Sequence, residues 1–488
     1  VYGWGVFHRG ASQVVVGRGV YRAHASDWTT EAPRRQATDA LSARSPRPVG
    51  DDQIVIPALR IGPPCRRLPR RDHRRTEHAM TPQAALIERD RQVALDLLKP
   101  SDRDLQHGLE LHADALVIES YGFSPRCAPD GAAVAAAVEA GASETELQDI
   151  TEDMRMTRCV TDAHERTEFQ AAWEASGVTC IMQNAGEEGQ DPLRLIKRLA
   201  RYTYVTDMMR EFLSKAVTPD DIVDAKASGR HCLYMTGNGV PLTQDWVSVE
   251  DELRYVRVFF QLGVRMMHLT YNRRNMIGDG CAEAGNAGLS DFGQAVVKEM
   301  NRVGVIVDVA HSSWQTGIDA ATASDKPMVA SHSGCAALSD HYRCKSDDVM
   351  RAIVDTGGYI GVCCIPRFLA GDGDITTMLD HIDHIAGKFG AEHVTIGTDV
   401  AYGSTAGADE WRKIPSRRRK RTAWEMYWRP NDGLGAPEWR QESQTRSMAW
   451  TNWPMFTVGM VQRGYSDDDI RKILGGNVLR VAKAVFPA

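Results

Sequence analysis

From about residue 110 onward, short apolar runs rich in β-branched residues alternate with stretches of helix-like periodicity, and this alternation limits the possible folds most sharply. Repeated βα units bury each strand on both faces, so they call for a parallel sheet covered by helices. Eight candidate strands stand out, at 109–118, 178–185, 232–242, 264–271, 305–311, 327–332, 359–365 and 394–400. Eight strands close a barrel, and the predicted fold is therefore α/β, a (β/α)₈ TIM barrel whose βα loops gather at the C-terminal ends of its strands. The intervening helices carry their own start and stop signals. Ser248 opens one with apolar Leu253, Val256 and Phe260 that closes at Gly263, and Ser290 opens another with Phe292, Val296, Met300 and Val303 that closes at Gly304. A third runs from Ser346 through Val349 and Ile353 to Gly357.

Composition narrows the function classes. With 43% hydrophobic and 25% charged residues the chain reads as an ordinary globular enzyme, and no apolar run approaches the roughly 18 residues of a membrane span. A net charge of -6 provides no overall basic footprint for nucleic acid. The ten cysteines are scattered without CxxC pairs, which suits reduced thiols, and no apolar segment of signal-peptide type follows the early arginines. A cytoplasmic location is expected. Residues 1–79 contain fourteen Arg and no Lys, show no sustained periodicity and precede the first methionine, Met80. They are expected to be a disordered or spurious extension, with a basic RNA-binding arm as the alternative reading. The hydrolase barrel is assigned to 80–488.

A metal site in such a barrel needs ligands from several strand ends. His112 and Asp114 lie two apart on the first predicted strand, where the period of two would point both into the mouth. His311 ends the fifth predicted strand, His332 the sixth and Asp399 the eighth. Each of these alone reads more readily as a hydrogen-bonded core or loop residue, and only their joint placement points to a metal. Imidazole and carboxylate together suit zinc or a neighbouring first-row metal, whose bound water becomes a nucleophile near neutral pH.

Five segments are distinctive in order and spacing: Leu269-Thr270-Tyr271-Asn272, Gly288-Leu289-Ser290-Asp291-Phe292-Gly293, Asn301 to Ser312 with Val307-Asp308-Val309-Ala310-His311, Ser331-His332-Ser333 and Gly475-Gly476-Asn477. Through them the sequence, over about residues 105–485, resembles the membrane (renal) dipeptidase family of zinc peptidases, within the amidohydrolase superfamily. It implies that an HxD pair on the first strand and the aspartate of the last strand bind one zinc, two later histidines bind a second, and a glutamate after the third strand bridges them. His112, Asp114, Asp399, His311 and His332 are matched to those positions. It further implies that Asp399 handles the proton of the attacking water and that Arg343, in Asp340-His341-Tyr342-Arg343, grips the substrate carboxylate.

Two departures accompany the resemblance. Counted back from Leu262-Gly263, the bridging position falls on Gln244, and the substrate-facing histidine of the family is here Tyr271, whose hydroxyl can still polarise a carbonyl. A neutral amide at the bridge leaves two divalent ions undercompensated, so one tight zinc with a weak or empty second site is expected. A long insertion at about 402–452 carries the basic run Arg417 to Arg421 and Trp411, Trp424, Trp428, Trp439 and Trp450, which suggests a lid or a subunit contact beside the mouth. The expected activity is cleavage of an amide bond in a dipeptide or similar small acyl amino acid with a free carboxylate. The alternatives are a non-peptide amidohydrolase, acting on an N-acyl amine, a lactam or a biosynthetic intermediate, and a silent barrel kept for binding; homo-oligomer formation is left open.

Overall fold

The computed structural model describes residues 81–186, 190–416 and 423–487. The chain divides into two units, Val1–Thr76 and Glu77–Ala488, and every described residue lies in the second. The expectations for residues 1–79 and for the basic run Arg417 to Arg421 lie outside the described residues.

The described residues form nine parallel strands: β1 (Ile118–Gly122), β2 (Cys180–Asn184), β3 (Leu213–Ala216), β4 (His231–Gly237), β5 (Met266–His268), β6 (Ile306–Asp308), β7 (Val329–Ser333), β8 (Tyr359–Val362) and β9 (Val394–Ile396). Eight of them run in the order β1-β2-β4-β5-β6-β7-β8-β9, and the Asp399 amide donates to the Tyr121 carbonyl at 3.3 Å, so the last strand returns to the first and nearly closes a (β/α)₈ barrel. Gly397 permits that approach, because a Cβ there would lie 2.6 Å from Ser120 Oγ and 3.1 Å from the Tyr121 amide nitrogen of β1. The ninth strand, β3, was not expected from the sequence. It pairs with the first half of β4, at Leu213 to Ala216, while β5 pairs with the end of β4, at Thr236 and Gly237.

The predicted helices form as their caps dictate. Ser248, Ser290 and Ser346 accept from the amides of Asp251, Gly293 and Val349 and open the helices Val249–Gln261, Asp291–Val303 and Asp347–Asp355. The first predicted strand, at 109–118, is corrected: most of it is the end of a helix, Asp102–Asp114, and the barrel strand starts only at Ile118. Ser101 caps this helix with Asp102 and Asp104 in its first turn, and its buried residues Gly108, Leu111 and His112 follow the three-to-four spacing of a helix face. Gly108 lets the helix Trp453–Gln462 pack directly on it, since a Cβ would come within 2.7 Å of the Val458 Cα.

Inside the barrel, Ile118, Met182, Tyr234, Met266, Ile306, Val329 and Tyr359 pack with Val478, Val481 and Val485 of the C-terminal helix Asn477–Val485. That helix lies across the N-terminal end of the barrel, where Arg480 donates to the carbonyls of Gly357 and Glu392, just ahead of β8 and β9. With one end plugged, the opposite mouth is left for a ligand.

Candidate active site

Four of the expected site residues meet at the C-terminal mouth, and a fifth lies directly beneath it. A cavity of about 420 Å³ is lined there by Tyr121, Phe123, Arg126, Asn238, Tyr271, His311 and Asp399 among others, with Trp428 and Leu434 from the insertion on its wall. His332 is fully buried against it, its Nε2 3.0 Å from His311 Nε2. A tyrosine ring covers each histidine: Tyr121 stacks on His332 at 3.9 Å between ring centres, and Tyr271 on His311 at 4.1 Å. Asp399 holds a left-handed backbone (φ 58°), a conformation unfavourable for a residue with a Cβ and one that turns the chain sharply as it leaves β9.

The tautomers of both histidines follow from their outer partners. His311 Nδ1 donates to the side-chain oxygen of Asn272 at 2.8 Å. Ser331 Oγ spends its proton on Asp308, so it accepts from His332 Nδ1 at 2.8 Å. Both Nε2 atoms therefore present lone pairs to each other. Burial, reinforced by the Arg343 guanidinium, pushes both imidazole pKa values well below the usual range, so neither carries a proton to relieve the contact.

Three expected residues are not at the mouth. His112 is on the helix Asp102–Asp114, where its Nε2 donates to the Ser176 carbonyl at 2.9 Å and its Nδ1 accepts from Thr457 Oγ1 at 2.8 Å. Asp114 is exposed and lies 3.3 Å from Arg471. Residues two apart point to one side of a strand but lie about 200° apart around a helix, which is why His112 faces inward and Asp114 outward. Gln244 is exposed on the loop after β4, its amide donating to Glu252. The residues that the strand ends do present are Tyr121 at the end of β1, Phe123 just after it and Asn238 after β4. Asn238 accepts from the Tyr121 hydroxyl at 3.1 Å and from His268 Nδ1 at 2.7 Å.

Arg343 also departs from its expected role. It is fully buried, it donates to the carbonyls of Ala310 and His332, and its Nη2 lies 3.3 Å from His311 Nε2. It is not among the residues that line the cavity.

Among the described residues, the group of three metal-type donors within 4.8 Å of one another is His268, Asp308 and His332, all fully buried. His268 Nε2 and an Asp308 oxygen are already in a 2.6 Å ion pair. Burial alone would raise the Asp308 pKa, but His268, Ser331 and the Ala310 amide outweigh it and hold the carboxyl below its usual range. His268, Asp308, Asn238 and Tyr121 were passed over in the sequence. The only signal for Asp308 was its place in Val307-Asp308-Val309-Ala310-His311.

The two-ion set implied by the resemblance does not fit this mouth. A phenol, a benzyl ring and an amide stand where the first ion's ligands and the bridge would be. One ion fits better, because His311 and His332 are neutral, aim both Nε2 lone pairs at one place and are fixed by outer partners in the manner of metal-binding histidines.

The sequence pattern of the membrane dipeptidase family (peptidase family M19) matches residues 144–417. The chain belongs to the membrane dipeptidase family. It is similar to Dipeptidase verJ of Clonostachys rogersoniana, 28% identical over 235 residues that cover 47% of this chain and 50% of the relative. It is also similar to Dipeptidase tcpJ of Claviceps purpurea (strain 20.1), 27% identical over 58% of this chain and 57% of the relative. The chain thus spans about half the length of the curated relatives it matches. Among solved structures, an amidohydrolase from Pseudomonas aeruginosa superposes with a TM-score of 0.56 at 25% identity, covering 78% of this chain and 99% of that one. This family member accordingly has the α/β barrel of the membrane dipeptidase family.

Proposed function

We propose that this chain hydrolyses an amide bond in a dipeptide or similarly small acyl amino acid at the barrel mouth. The observation that carries the reading is the cavity itself, whose lining includes His311, Asp399 and Tyr271 and whose volume of about 420 Å³ suits a small molecule. In this reading Tyr271 donates its hydroxyl to the scissile carbonyl and Asp399 accepts the proton of the attacking water and returns it to the leaving amine. Trp428 and Leu434, part of the insertion, restrict water on the outer side. His311 and His332 would hold a single zinc, which when bound supplies Lewis-acid activation of water or carbonyl oxygen.

Tyr121, Phe123 and Asn238 at the mouth also favour a second reading, an amidohydrolase acting on an N-acyl amine or a lactam. A panel of dipeptides, N-acyl amino acids, N-acyl amines and lactams, assayed with added zinc, separates the two. Turnover confined to amines and lactams selects the second, and turnover of none of the four classes overturns both.

A further inference from the structure

We propose that Arg126, backed by Arg155, is the clamp for the anionic group of the ligand, the role that the family resemblance assigned to Arg343. This deepens the reading given above and rests on it for the identity of the substrate.

The cavity is lined by three guanidinium groups, Arg126, Arg155 and Arg198, against two carboxylates, Glu152 and Asp399. Glu152 is already spent, because Arg194, Arg198 and Arg201 all lie within 3.3 Å of it. Arg198 also donates to the Gly186 carbonyl. Arg126 differs from these. Its stem follows the loop after β1, its guanidinium lies over the Phe123 ring at 4.4 Å, and among the described residues no acceptor hydrogen-bonds its side chain. Arg155 contributes a second guanidinium without a carboxylate contact among the described residues, 6.0 Å from the centre of the Trp411 ring.

Two like charges facing one partly desolvated space repel. Burial, followed by the charge of Arg126, lowers the Arg155 pKa to about 10, and burial lowers that of Arg126 as well. An anion between them would relieve both effects, and a planar guanidinium matches a carboxylate or a phosphate through paired N–H groups. Arg343 does not take that place here, since it lies outside the lining and its two Nη groups reach the backbone carbonyls of Ala310 and His332.

The test measures binding by calorimetry on the full chain, independently of turnover. The probes are N-acetylglycine, N-acetylglycinamide and glycerol phosphate, titrated into wild type, Arg126→Met and Arg126→Lys, with circular dichroism to verify folding. The expected result is that wild type binds N-acetylglycine or glycerol phosphate at least about tenfold tighter than the amide, a charge-assisted pair being worth that much. Arg126→Met abolishes this preference while leaving the amide unchanged, and Arg126→Lys restores part of it. Preference for N-acetylglycine identifies a carboxylate ligand, and preference for glycerol phosphate identifies a phosphate. Equal binding of acid, phosphate and amide by wild type, or an undiminished preference in Arg126→Met, overturns the proposal. Should Arg126→Met not fold, Arg126→Gln carries the same expectation. Loss of the hydrolase reading leaves this binding result intact, so the two failures are distinguishable.

Discussion

Two regions of this protein bury histidines, and they do so for different ends. Behind the barrel wall, His112 is neutral because burial lowers its pKa to about 4, and both of its ring nitrogens are satisfied by Thr457 and Ser176. At the mouth, His311 and His332 are also neutral and buried, yet their two Nε2 atoms face each other at 3.0 Å with no proton between them, and only the Arg343 Nη2 group approaches His311 Nε2, at 3.3 Å. The difference teaches that burial and a shifted pKa do not mark a functional histidine. An uncommitted ring nitrogen aimed at a cavity does.

The sharpest way to break this comparison is to delete both kinds of histidine. His311→Ala or His332→Ala is expected to lower turnover roughly a thousandfold or more while the barrel keeps its circular dichroism spectrum. His112→Ala should do the reverse, leaving turnover per folded molecule intact and costing about 2–4 kcal/mol of stability in a urea melt, from the cavity and the orphaned Ser176 carbonyl. Equal activity losses from the two regions would erase the distinction.

Metal content sharpens it further. After extensive dialysis the protein should retain no more than one zinc per chain, and that one should be lost in His332→Ala but kept in His112→Ala. Two retained ions in the wild type would mean that groups other than Tyr121, Phe123 and Asn238 complete a second site.

The pH dependence of stability tests the buried titratable groups away from the mouth, His112 first. Its folded pKa lies below the unfolded value of about 6.5, so its contribution is complete above 6.5 and is lost as pH falls toward 4, a change on the order of 3 kcal/mol. Glu119 has the opposite sign. Burial raises its pKa to about 8, so stability tied to its neutral form is full below the unfolded value of about 4.5 and declines as pH rises from there toward 8. Chemical denaturation across pH 4–9 should show a shallower acid slope in His112→Asn and a shallower alkaline slope in Glu119→Gln than in the wild type. Unchanged slopes would show that other groups control the titration. The smallest effect is expected for Asp114→Ala, which removes an exposed ion pair with Arg471 and should alter stability by no more than about 0.5 kcal/mol without changing metal content.

Much of the barrel was legible in the sequence because local rules govern it. The runs around Cys180–Asn184, Ile306–Asp308 and Val394–Ile396 are apolar and bounded by breakers, and Ser248, Ser290 and Ser346 are helix caps wherever the chain goes. β3 was missed because Leu213-Ser214-Lys215-Ala216 is short and half polar, and it becomes a strand only through the edge that β4 offers it.

The sequence by itself determined the fold class, the positions of His311, His332 and Asp399 near strand ends, and the family motifs that surround them. Tertiary structure decided which residues share a space. The helix Asp102–Asp114 buries its Gly108 and His112 face against Trp453–Gln462, more than 300 residues away in the chain, and as a helix it keeps His112 and Asp114 away from the mouth. The same closure of β9 onto β1 brought Tyr121, Phe123 and Arg126 into the cavity with His311, a juxtaposition that no local pattern encodes. The physical reason is range: caps, periodicity and turn chemistry act over a few residues, whereas ligand geometry is set by contacts between strands whose order only the closed barrel defines.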